Sequence, residues 1–127
     1  MQERHLFEYA VIRVVPRVER EEFINVGIIL YCRDRKFLDA TLELNERRLE
    51  AIGGCASEEL KSHLTAFQRI SRGEESAGPI ARLDQASRFR WLTAARSSVV
   101  QTSRVHAGFC KDPGETLARL HKQLVTD

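Results

Sequence analysis

The sequence predicts an α+β protein in which helices pack on one face of a largely antiparallel sheet of about four strands. Two runs rich in β-branched and aromatic residues, Leu6 to Val15 and Phe23 to Cys32, open the chain. A third run, Phe37 to Leu44, alternates Leu38, Ala40, Leu42 and Leu44 with Phe37, Asp39, Thr41 and Glu43, the period-two pattern of a strand with one wet face. Capped amphipathic helices follow, with one further short strand among them. At 127 residues the whole chain, 1–127, reads as a single domain.

Each element has its local cause. Pro16 and the charged run Glu19-Arg20-Glu21-Glu22 break the first two strands apart and make them a β-hairpin. A polar turn, Arg33-Asp34-Arg35-Lys36, leads to the third strand. Asn45 caps a short helix through Leu49 and Ile52, which Gly53-Gly54 ends. Ser57 caps a second helix, with Glu58 and Glu59 in its first turn and Arg69 and Arg72 near its end, as the helix dipole favours. Its buried stripe is Leu60, Leu64, Phe67 and Ile70. The segment from Arg72 to Pro79 is a loop, and a third helix runs within Ile80 to Arg96, at least from Gln85. Ser98 to Val105 is a short edge strand. Asp112-Pro113-Gly114-Glu115 starts the last helix with a capping aspartate and proline at the first helical position.

Composition narrows the classes. A hydrophobic fraction of 43% and a charged fraction of 30% are those of a globular protein. A net charge of +2 lacks the excess that would by itself imply nucleic acid or an anionic membrane. The amino-terminal stretch has no signal-peptide hydrophobic region, and Phe23 to Cys32 is too short to span a bilayer, so the expected location is the cytoplasm and no membrane partner is expected. Cys32, Cys55 and Cys110, odd in number and widely spaced, read as reduced thiols.

Candidate functional residues fall in two groups. In the economical register, Ile24, Val26, Ile28, Leu30 and Cys32 share the helix-covered face, leaving an aromatic and polar face opposite. A hairpin centred near Glu19 sets Arg13 opposite Asn25 and Val11 opposite Gly27, so a guanidinium and a carboxamide flank a notch that could admit a ligand or a partner side chain. The alternative is a bulge or close packing at Gly27, with Arg13 paired to Asp39 or Glu43. The second group is Arg88-Phe89-Arg90-Trp91 with Arg96 and Arg104, arginines interleaved with aromatics that could bind phosphate and stack on bases. Its plainer alternative is a helix with solvated arginines.

Catalytic chemistry is thinner. His106 and Cys110 share a loop four residues apart, a spacing that lacks an orienting group. His5, His63, His106 and His121 show no metal-ligand pairing, and no phosphate-binding loop, nucleophile elbow or dinucleotide fingerprint is present, so no metal, cofactor or catalytic residue is assigned.

The stretch Tyr9-Ala10-Val11-Ile12-Arg13-Val14-Val15-Pro16, followed by Glu22-Phe23-Ile24-Asn25-Val26-Gly27-Ile28-Ile29-Leu30, resembles the opening of the bacterial domain-of-unknown-function family numbered 3037. Arg88-Phe89 and the terminal Asp112-Pro113-Gly114-Glu115 ahead of Leu117 and Leu120 also resemble its pattern, so the resemblance spans nearly the whole chain. No function is assigned to the family. Its members are often encoded beside a HipA-like kinase homologue, and the resemblance therefore implies a partner or regulator role.

Three functions are consistent with these residues. The first is an interaction or regulatory protein, with a protein partner of the kinase-like kind, using Arg13, Asn25 and Gly27. The second is a nucleic-acid-binding module built on Arg88, Arg90, Trp91, Arg96 and Arg104. The third is a small hydrolase or nuclease-like enzyme using His106 with Cys110 or an acidic residue.

Overall fold

The computed structural model describes residues 3–126, so Met1 and Gln2 of the amino-terminal stretch lie outside the described residues. Five strands, β1 (His5–Val14), β2 (Ile24–Cys32), β3 (Phe37–Ala40), β4 (Val100–Thr102) and β5 (His106–Cys110), form one antiparallel sheet. Among the described residues four α-helices accompany it: α1 (Glu46–Ala51), α2 (Glu58–Ser71), α3 (Gln85–Thr93) and α4 (Pro113–Leu124). The α+β class and the antiparallel sheet agree with the sequence prediction. No helix among the described residues is long and apolar enough to cross a membrane.

β1 is the central strand. It pairs with β2 along one side, while β4 and β5 share its other side in succession. The single strand expected over Ser98 to Val105 is thus shorter, and a fifth follows it. Ser103 separates the two: its Oγ accepts the Val11 N–H at 2.9 Å and its own N–H donates to the Val11 carbonyl at 2.8 Å. A buried hydroxyl thereby takes a backbone carbonyl's part in the ladder, and β1 loses no hydrogen bond where the edge strand breaks.

The helix starts are where side-chain oxygens dictate them. Asn45, Ser57 and Asp112 accept backbone N–H groups of the first turns of α1, α2 and α4. Asp84 does the same for α3 through the Ser87 N–H, and that hydrogen bond is the first cause holding its carboxyl below the usual range.

One bulge decides how the sheet is covered. Ile12 pairs with Gly27 but Arg13 with Asn25, leaving Val26 as an extra residue on β2. Arg13 does lie opposite Asn25, whereas Val11 lies opposite Ile28 and not Gly27. Across the bulge the alternation changes sides. Ile24 and Val26 share a core with Ile29 and Tyr31, while Ile28, Leu30 and Cys32 point into the other. An unbroken apolar face from Ile24 to Cys32 therefore does not exist, because one inserted residue in a period of two turns every later side chain over.

Both faces of the sheet are covered, which corrects the expectation of helices on one face only. α1, α2 and α3 bury Leu49, Leu60, Leu64, Phe67, Ile70, Phe89 and Leu92 against Ala10, Ile12, Val14, Val26, Ile29 and Tyr31. α4 lays Leu117 and Leu120 on Phe7, Val11, Ile28, Leu30 and Cys32. The aromatic and polar face expected from sequence is therefore divided: Phe7 and Val11 are on the floor of the second core, whereas Ile29 and Tyr31 belong to the first. Burial of these apolar side chains under helices on both sides leaves no open face.

Candidate functional site

Gly27 does not leave a notch. A Cβ there would come 1.9 Å from the Thr41 carbonyl oxygen, so the missing side chain is what lets the backbone beyond β3 close on the bulge. Asn25 faces α4 and donates from Nδ2 to the Leu124 carbonyl at 3.0 Å, satisfying one of the acceptors that a helix end leaves open. Of the Asn-Val-Gly piece, Asn25 thus has structural work at the seam between β2 and α4, and Gly27 at the seam between β2 and the segment beyond β3.

Arg13 pairs with neither Asp39 nor Glu43. Asp39 is engaged by Arg72 at 2.9 Å and Glu43 by His121 at 3.0 Å. The Arg13 guanidinium lies over the Phe23 ring, 4.1 Å from its centroid, and its buried Nε has no hydrogen-bond partner. Desolvation by this partial burial lowers its pKa.

Arg13 opens onto a cleft of about 610 Å³ lined also by Val15, Val18, Glu21, Phe23, Arg96 and Gln101. Gln101 is the cross-strand partner of Arg13 on β4, and Arg96 comes from the segment between α3 and β4. The Arg96 guanidinium lies 4.2 Å from the centre of the Trp91 ring and donates to the Trp91 carbonyl. Two guanidiniums from distant parts of the chain, each laid on an aromatic face, therefore share one cleft. Such stacking orients the planar fork while leaving edge donors for an oxyanion. Glu21, held at φ 56° after the short 3-10 turn Val18–Arg20, contributes a carboxylate to the same rim. The apolar walls are Val15 and Val18.

The remaining arginines of the basic segment diverge. Arg88 is only 9% exposed, with Nη1 donating to the Leu83 carbonyl at 2.6 Å and Nη2 reaching the Ser71 carbonyl at the end of α2. It is an internal brace between α2 and α3, where its charge also suits the helix dipole. Arg90 lines a different cleft with Glu8, Asp34 and Asp84. Arg104 is exposed beside β5. Of the arginines from Arg88 to Arg104, the first cleft receives Arg96, and Trp91 supports it from beneath.

His106 and Cys110 lie on β5, not in a loop. Four residues along a strand separate them by about 13 Å, and His106 is stacked on Tyr9 with ring centres 5.2 Å apart. Burial, with Cys32 alongside, pushes the Cys110 thiol above its ordinary pKa, the reverse of nucleophile activation. A different histidine makes a polar chain: His121 Nδ1 is 2.6 Å from Thr41 Oγ1, and its Nε2 is 3.0 Å from Glu43 Oε1. Thr41 Oγ1 also accepts the Ile28 N–H within the sheet, so this chain fastens α4 to the strands.

Phe23, Glu21 and Gln101 were not among the residues singled out from sequence. Phe23 had a signal, since it flanks the same hairpin loop as Arg13. Gln101 had none, because its place beside Arg13 depends on the pairing of β4 with β1.

The chain belongs to the family described as "Protein of unknown function (DUF3037)", whose model matches residues 9–125. No curated protein and no solved structure matches it.

Proposed function

We propose that this chain is an interaction protein of regulatory type whose cleft between Arg13 and Arg96 takes an anionic group, a carboxylate or phosphate, presented by a protein partner. The observation that carries the reading is the convergence of two aromatic-stacked guanidiniums on one cleft, with Arg13 partly desolvated and its Nε unpartnered. An incoming oxyanion would offset that desolvation and meet fixed, planar donors. The valine walls suit apolar carbon next to the charge, and Glu21 would favour ligands that leave its side of the rim to water. A kinase-like partner, which the family resemblance implies, meets this chemistry with an acidic or phosphorylated segment. The three free cysteines suit a reducing bacterial cytoplasm.

The other two functions draw less support. Arg88 is internal and Arg90 and Arg96 open onto different clefts, so the basic segment offers no continuous stripe for a phosphate backbone. The separation of His106 from Cys110 weakens one of the two pairings offered for the hydrolase reading, the other being His106 with an acidic residue.

Trp91, the sole tryptophan, lies under Arg96 and is a built-in reporter. Titration with inorganic phosphate and with a glutamate-rich peptide should change its fluorescence saturably. Arg13→Gln should weaken that response about tenfold or more, the scale of a charge-assisted hydrogen bond, with the melting temperature retained. Arg13→Gln binding as tightly as wild type, or no saturable response to either probe, would overturn the reading. Tighter binding to a single-stranded oligonucleotide, falling steeply with salt, would favour the nucleic-acid function instead.

A further inference from the structure

The outer edge of β5 is open. β1 takes one side of this strand, and among the described residues no hydrogen bond from Val105 to Phe109 goes anywhere but to β1. The strand His106-Ala107-Gly108-Phe109-Cys110 contains no proline, lysine or carboxylate, the residues by which sheet edges usually discourage pairing. Phe109 is 66% exposed, and its cross-strand neighbour Leu6 is 52% exposed on the same side of the sheet. That amount of apolar surface beside unpaired backbone groups suits another strand.

We propose that the β5 edge pairs with the β5 edge of a second copy of this chain, antiparallel and centred on Gly108. A two-fold axis there makes the interface self-complementary. Phe109 of each copy falls opposite Ala107 of the other, a large side chain against a small one, and the glycines meet at the axis. The same register brings Arg104 opposite Asp112 of the other copy, an opposite-charge pair that the symmetry repeats. Arg104 and Asp112 are both exposed, Asp112 Oδ1 accepts the backbone N–H groups of Gly114 and Glu115, and among the described residues neither side chain makes an ion pair within its own chain. Charge complementarity at the two ends and size complementarity in the middle thus select one register and a second copy as the occupant. The two sheets would become one continuous sheet, with each Leu6 and Phe109 pair sharing cover across the axis.

Sedimentation equilibrium of the whole chain, under reductant to keep the exposed Cys55 from cross-linking, tests this directly. Wild type should show a concentration-dependent mass approaching twice 14.5 kDa at roughly 100 μM chain. Phe109→Lys combined with Arg104→Glu should shift dimerisation at least about tenfold toward monomer while circular dichroism and melting of the monomer stay intact. Should that double variant fold poorly, Ala107→Glu provides the same test from the opposite side of the pair. A wild type that remains monomeric, or a dimer that a folded edge variant leaves unchanged, would overturn the proposal.

Discussion

The two faces of the sheet are held by the same means in different proportion. α1, α2 and α3 cover one face mainly through apolar volume, with Leu49, Leu64, Phe67, Phe89 and Leu92 against the branched side chains of β1 and β2, while Gln68 donates to the Ala40 carbonyl and Arg72 pairs with Asp39 at the β3 margin. The other face carries a single helix, and its carboxyl end is pinned by polar groups. Asn25 donates to the Leu124 carbonyl, His121 bridges Thr41 and Glu43, and Thr126 Oγ1 donates to Glu43 at 3.2 Å. One helix cannot shield a sheet as three can, so directed hydrogen bonds supply the position that surrounding volume supplies on the other side. The bulge at Val26 is the hinge of this arrangement, since it sends residues of one strand into both cores.

The largest effect on both faces is expected at Gly27. Gly27→Val would drive a side chain into the Thr41 carbonyl and Ile12, and should cost about 3 kcal/mol by overpacking, read as a lower chemical-denaturation midpoint. A valine variant as stable as wild type would mean the bulge can move freely and is not the seam.

A smaller and one-sided effect is expected at Asn25. Asn25→Ala removes the donor to Leu124 and should cost about 1 kcal/mol. Hydrogen exchange should rise in the last turns of α4 and stay as it was in α2. Equal loosening of both helices would show that the two faces are not held separately.

The smallest effect is the pH dependence that Glu43 contributes on the α4 face. Glu43 has its pKa lowered, first by the hydrogen bond with His121. A carboxylate whose folded pKa is depressed contributes stability that is present above its unfolded value of 4.5 and is lost as pH falls through the folded value. Glu43→Gln should therefore lower the melting temperature slightly at neutral pH and converge with wild type as the solution is acidified below that value. A difference that persists undiminished in acid would remove Glu43 as the origin.

How much of this was legible in advance divides by the range of the interactions. Local chemistry alone accounts for the caps at Asn45, Ser57 and Asp112, the hairpin and the buried stripe of α2, because each depends on residues within a few positions of one another. It also placed Arg13 opposite Asn25, since both lie close to the hairpin turn. The register beyond that point escaped it. Gly27 was compatible with a bulge, yet whether Val26 would be inserted depends on Thr41, just beyond β3, closing on the glycine.

The candidate site was legible in its parts and not in its assembly. Arg13, Trp91 and Arg96 stood out as residues, but composition grouped Arg96 with Arg88 and Arg104, whereas packing groups it with Arg13. Local chemistry settles most of the strands and helices and where they begin, β5 excepted, because backbone donors near a helix start and alternating side chains are satisfied locally. Long-range packing settles which face α4 covers, which arginine is buried and which two share a cleft. Those outcomes follow from where a one-residue bulge turns a strand over and from which strand lies beside β1, and both are settled by contacts between residues far apart in the chain.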